Sequence, residues 1–176
     1  GTITTANSAG ELNLVGGTLT ALNVTGGNST LTTGSVTNLA NVTGGLLASG
    51  VNIGSLEIGA SGTANLTGGS VTTGNVSSAG ALITSIGLSN VTVSGTSVTT
   101  VNGGTTNITA GSGASANVTS GTLLSAASLT NLYVQTGATA NISAGTITTA
   151  NSAGELNLVG GTLTALNVTG GNSTLT

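Results

Sequence analysis

Residues Gly1–Thr32 read GTITTANSAGELNLVGGTLTALNVTGGNSTLT, and Gly145–Thr176 read the same at every position, 144 residues further on. Inside this stretch two runs alternate apolar and polar side chains, Leu12-Asn13-Leu14 and Leu22-Asn23-Val24, and each ends in a glycine pair, Gly16-Gly17 and Gly26-Gly27. Period-two alternation over so few residues, bounded by Gly, Asn and Ser, is the pattern of short strands joined by tight turns. Such strands cannot bury an apolar face alone. Stacking on neighbouring units of the same kind solves that problem, which is the logic of a solenoid.

The same pattern extends outward over the whole chain, in Val51-Asn52-Ile53, Leu56-Glu57-Ile58, Val91-Thr92-Val93 and Leu132-Tyr133-Val134. A Gly-Thr/Ser-aliphatic-Thr element recurs from Gly17, Gly34, Gly69 and Gly145. An Asn-aliphatic-Thr/Ser element recurs at uneven spacings of 10 to 24 residues. No window sustains a 3.6-residue apolar stripe, and glycine interrupts at every scale, so helix is excluded. The expected fold is all-β: a parallel β-helix of either hand with two or three short strands and about 18–24 residues per coil. An antiparallel β-sandwich is the alternative, but it accounts less naturally for an identical long repeat. Residues 1–144 read as one full period and 145–176 as the start of the next. Six to eight coils would fill a period and rise roughly 30 to 40 Å at about 4.8 Å per coil.

Composition narrows the chemistry. The 176 residues include 31 glycines and only three charged side chains, Glu11, Glu57 and Glu155. Without Lys or Arg there is nothing to neutralise a phosphate backbone, so nucleic acid is excluded as a partner. Without Cys there are no disulfides and no thiolate chemistry. Hydrophobic residues make up 37% of the chain and mean hydropathy is +0.45, which fits a packed protein rather than a disordered one. Glycine has no three-residue period and proline is absent, which excludes collagen. Apolar runs are broken too often to give the roughly 20 residues of a membrane span.

The candidate core is the set of alternating aliphatics: Leu12, Leu14, Leu19, Leu22, Val24, Val36, Leu39, Val42, Ile53, Val91, Val93 and Ile142. Outward positions are rich in Thr, which favours strands and keeps a hydroxyl in water. Glycine suits the corners, and Asn can hydrogen-bond along a ladder from coil to coil. Near-absence of charge is expected where like residues stack directly over one another.

No catalytic constellation is legible. General bases titrating near neutrality and cysteine nucleophiles are missing, and the lone carboxylates Glu11 and Glu57 are 46 residues apart. The expectation is a protein that is not an enzyme, with no cofactor and no metal site. Asn-X-Ser/Thr sequons at Asn23, Asn28, Asn41 and Asn65 are candidate glycosylation acceptors, although a chain built from Asn, Thr and Ser generates sequons by pattern alone. Asn28, in Gly27-Asn28-Ser29-Thr30, is expected to be the most exposed. Tyr133, the only aromatic residue, reads as an outward strand residue.

With its Asn-Val-Thr-Gly-Gly and Gly-Thr-Leu-Thr units, the chain resembles the repeat regions of bacterial filamentous-haemagglutinin-like adhesins and autotransporter passenger β-helices. The resemblance implies an exported, extracellular rod on a cell surface. The function expected is a non-catalytic structural or adhesive module of a surface fibre. Its partners would be further copies of the repeat, in the same chain or head-to-tail between chains, and host or neighbouring-cell surfaces or glycans. It would not span a membrane. No export signal stands at Gly1, so a targeting sequence is expected outside the stretch. The alternative is an ice-binding or polysaccharide-binding β-solenoid using threonine-rich faces, suggested by Thr2-Ile3-Thr4, Thr18-Leu19-Thr20 and Thr30-Leu31-Thr32. Against it, these triplets recur at no single fixed spacing.

Overall fold

The computed structural model describes all 176 residues. They form one continuous 19-stranded sheet, parallel throughout, wound into a β-solenoid. Paired residues in successive coils lie 15 to 18 apart in sequence, 17 being typical. The coil is thus shorter than the 18–24 residues expected. A coil such as that beginning at Asn52 needs only a strand at Asn52–Ile58, a four-residue turn, a strand at Thr63–Leu66 and a second four-residue turn, Thr67–Ser70, before the next strand at Val71.

The coil has two sides. On the first, a column of mutually paired residues runs Ala6, Leu22, Ala40, Leu56, Gly74, Val91, Ile108, Ser125, Ile142, Leu158, Leu175. On the second, the column runs Leu12, Ser29, Leu47, Ala64, Leu82, Thr99, Ala116, Leu132, Ala150, Leu166. From the second coil to the ninth, every residue of both columns is buried. A small residue on one side shares its coil with a large one on the other: Leu22 with Ser29, Ala40 with Leu47, Leu56 with Ala64, Gly74 with Leu82. A narrow interior filled at every level to the same volume leaves neither void nor overlap, as close packing demands. This alternation also places Ala40 inward and leaves Leu39, expected in the core, only half-buried on the outer face. Val24, Val36, Val42, Ile53, Val93 and Leu19 are buried beside the two columns. Leu12 and Leu14, in the first coil, are half-buried, while their repeat copies Leu156 and Leu158 are buried.

Counting along the first column, eight steps lead from Ala6 to Ile142 and nine to Leu158. The sequence copy of Ala6 is Ala150, eight residues from each of these two, and it belongs to the second column. The 144-residue period therefore spans about eight and a half coils. Identical sequence lands on opposite sides of the rod.

The changeover is visible in strand lengths. Up to Leu88–Ser94 the first side carries the longer strands, such as Asn52–Ile58, and the second side four-residue strands, such as Leu46–Ser49 and Val98–Val101. From Thr122–Ser125 onward the first side carries the four-residue strands and the second the longer ones, Leu129–Val134, Thr146–Ser152 and Thr162–Val168. The exchange occurs in the coil between, where Thr105–Ser112 and Ala114–Val118 nearly abut. The linking sequence, Ala110-Gly111-Ser112-Gly113-Ala114, contains only small residues. Gly111 has φ 136°, and a Cβ there would stand 1.7 Å from the Val93 carbonyl oxygen. Only glycine fits that approach.

Candidate functional site

Three features of the outer surface merit chemical description: amide ladders, hydroxyl rows and one groove. Outward side chains on the first side stack as Asn7, Asn23, Asn41, Glu57, Asn75. Asn23 Nδ2 donates to Asn7 Oδ1 at 2.8 Å, and the copy pair Asn167 and Asn151 repeats the bond at 3.4 Å. An amide can donate to one neighbour and accept from the other, and in this column the bond forms between Asn7 and Asn23, while Glu57, a carboxylate, can only accept. Asn23 and Asn41 are half-buried within that column, Asn65 is half-buried between Ala48 and Ile83 on the second side, and Asn28 is exposed at the start of its strand.

Glu57 stands in the first-side ladder between Asn41 and Asn75. Glu11 ends the turn leading to the second side and accepts from Asn13 Nδ2 at 3.0 Å. The two carboxylates occupy different sides of the rod, and the structure does not bring them together as an acid–base pair. Glu155 repeats the Glu11 arrangement, accepting from Asn157 at 2.8 Å. No group of three or more His, Cys, Asp or Glu gathers anywhere on the chain.

The longer strands open with a polar-aliphatic-polar triplet whose middle residue points inward. Pairing aligns these triplets in spite of their uneven sequence spacing: Thr2, Thr18, Ser35 and Asn52 form one row, and Ser70 Oγ continues it by donating to Asn52 Oδ1 at 3.0 Å. The inward middle residues are Ile3, Leu19, Val36, Ile53 and Val71. Two residues along, Thr4, Thr20, Thr37 and Thr72 carry hydroxyls and Gly54 carries none, and the ladder shifts register there, between Leu19 and Ala21 and between Val36 and Leu39. The triplet Thr30-Leu31-Thr32 does not join this row: it lies on the second side, where Thr30 and Leu31 pair with Asn13 and Leu14 below and with Ala48 and Ser49 above. After the changeover the triplets Ser128-Leu129-Thr130, Thr146-Ile147-Thr148 and Thr162-Leu163-Thr164 align on the other side through Leu129, Ile147 and Leu163.

A recess of about 580 Å³ surrounds Tyr133 and includes Asn117, Gln135, Thr136, Asn151 and Thr169. Asn117, Tyr133 and Asn151 are consecutive in the second-side column. A four-residue turn, closed by Ala138 N–H donating to Gln135 C=O at 3.0 Å, raises a wall beside them. Tyr133 is marked in sequence by being the only aromatic residue. The wall is not legible there, because only the register shows that this turn borders the tyrosine's column.

Compared with known protein families, curated proteins and solved structures, the chain matches none. The fold itself defines its class: a tandem-repeat parallel β-solenoid, the architecture that resemblance to surface β-helix proteins implies. No helix of the chain is long and apolar enough to cross a membrane.

Proposed function

We propose that this chain is a non-catalytic structural and adhesive segment of an extracellular surface fibre, of the kind built by filamentous-haemagglutinin-like adhesins and autotransporter passengers. The single observation that carries the reading is the recurrence of the 32-residue repeat with identical register. Thr2 pairs with Thr18 as Thr146 does with Thr162, and Leu12 pairs with Ser29 as Leu156 does with Ser173. Between them, the two copies supply both halves of a repeat-to-repeat junction. Residues 33–58 cover the upper edge of the first copy, and residues 122–142 support the lower edge of the second. Sheet edges of this kind are templates for parallel continuation. A surface with only three charged side chains and no Lys or Arg, hence no trypsin site, suits a location outside the cell.

The test is the length of a rod assembled from tandem periods. Each added 144-residue period should lengthen it by roughly 41 Å in electron micrographs, eight and a half coils at about 4.8 Å each. Compact particles whose long dimension does not grow with period number would contradict the proposal.

A second reading is favoured by the aligned hydroxyl rows: a threonine-rich face that binds ice or a polysaccharide surface. A flat array at about 4.8 Å along the rod and roughly 7 Å across it could match an ordered hydroxyl lattice. Ice-recrystallisation assays on wild type and a Thr20→Leu, Thr37→Leu double variant test it. Activity lost in the variant supports the reading, and inactive wild type removes ice as the ligand.

A further inference from the structure

We infer that the groove around Tyr133 is a subsite for a single pyranose ring of a neutral oligosaccharide. The inference rests on the adhesive half of the proposed function and names its ligand. It assigns the contact to a discrete site rather than to the threonine faces.

The Tyr133 side chain projects outward between the buried Leu132 and Val134 and is 44% exposed, although it lies in a recess. A half-covered aromatic ring offers an apolar, polarisable face with a polar tip. The C–H face of a pyranose needs such a platform, and its hydroxyl rim needs donors and acceptors in the plane around it. Asn117 stands one coil before Tyr133 and Asn151 one coil after, about 4.8 Å along the rod in each direction. Amides therefore flank the platform at both ends over roughly 10 Å. Gln135 and Thr136 form the lateral wall, and Thr169 closes the groove from the next coil. Every one of these amides can both donate and accept, as a hydroxyl ligand requires.

One of them is unpartnered. Asn117 Oδ1 is shut off from water and accepts no hydrogen bond within the chain, a costly state for a buried acceptor. Rotation of the Asn117 side chain toward the groove, whose lining it is part of, would bring that oxygen to a ligand hydroxyl. None of the groove's lining residues carries a charge, so nothing in it would compensate the desolvation of a phosphate, sulfate or uronate. That selects neutral sugars. The chain contains its own control in the recess at Ser55, Glu57, Thr73 and Asn75. It too lies over a polar column, but it holds a carboxylate where the Tyr133 groove holds an aromatic ring.

Amide chemical shifts of the 176-residue chain, recorded during titration with maltohexaose, cellohexaose and chitohexaose, test the inference. The expected result is saturable shifts from one of these probes, centred on Asn117, Tyr133, Gln135 and Asn151, with none at Glu57. Affinity should fall about tenfold or more in Tyr133→Ala and be largely kept in Tyr133→Phe, since the ring face supplies the platform. The Tyr133→Phe arm also separates loss of the platform from loss of fold. Shifts centred on Thr18, Thr20 and Thr37, unaffected by Tyr133→Ala, would overturn the groove assignment and leave an adhesive rod intact. No saturable shift with any of the three probes would overturn the saccharide assignment, while growth of the rod with period number decides the fibre separately.

Discussion

Residues 1–32 and 145–176 are one sequence in two places, and the differences between the places are informative. Locally they agree: Asn23 bonds Asn7 as Asn167 bonds Asn151, and Glu11 accepts from Asn13 as Glu155 does from Asn157. Globally they disagree, since Ala6 sits on one side of the rod and Ala150 on the other. Sequence thus dictates register, although the first copy runs as one strand over Leu12–Val24 and the second breaks into Glu155–Leu158 and Thr162–Val168. The side of the rod, by contrast, is set by arithmetic, by how many residues the intervening coils consume. Energetically the copies differ as well. Leu22 is fully enclosed by coils on both flanks, while its copy Leu166 is 37% exposed on the terminal coil.

The largest expected effect is at the changeover. Gly111→Ala places a Cβ against the Val93 carbonyl at a φ that side chains rarely adopt, costing about 3 kcal/mol or more. Hydrogen exchange should show the second copy losing protection while the first keeps much of its own. Equal loss in both would mean that the rod unfolds as one unit.

Next comes the same substitution made in each copy. Leu22→Ala removes a fully buried side chain and should cost about 2–5 kcal/mol, whereas Leu166→Ala should cost less than about 1 kcal/mol. Denaturant midpoints of the two single variants measure the contrast directly. Similar values would show that the terminal coil is as well packed as the interior.

In the middle of the chain the hydroxyls of Ser97, Thr99 and Thr106 are buried without partners. Thr99→Val keeps the shape and removes an unsatisfied group, so it should stabilise by about 1 kcal/mol. A destabilised variant would show that a bound water serves that hydroxyl. The smallest effect is expected in the amide ladder: Asn23→Ala removes the 2.8 Å bond to Asn7 and should cost about 0.5–1 kcal/mol, again read from denaturation midpoints.

These comparisons show what could be read in advance. The solenoid and its inward aliphatics were legible because alternation bounded by glycine has few other meanings, and Val24, Val42, Val91 and Ile142 are buried. Coil length was less so. Asn-X-Thr elements occur on both sides of the rod, so their spacings of 10 to 24 residues mix half-coil, full-coil and longer steps. The half-coil was hidden by the repeat itself, because 144 residues divide evenly into eight coils of 18, and identical sequence suggests identical place. Its signature was present in retrospect in Ala110-Gly111-Ser112-Gly113-Ala114, a run of small residues through which the two strands nearly abut. The Tyr133 groove could not be read, because Asn117, Tyr133 and Asn151 become neighbours only through register.

The central claim is that the period holds about eight and a half coils. Cryo-electron microscopy of a chain carrying three consecutive periods tests it most directly. Density should superpose after one period, roughly 41 Å, only when the two sides of the rod are exchanged, and by translation along the axis, apart from the rod's continuous twist, only after two periods. Superposition by translation and twist alone after a single period would contradict the account.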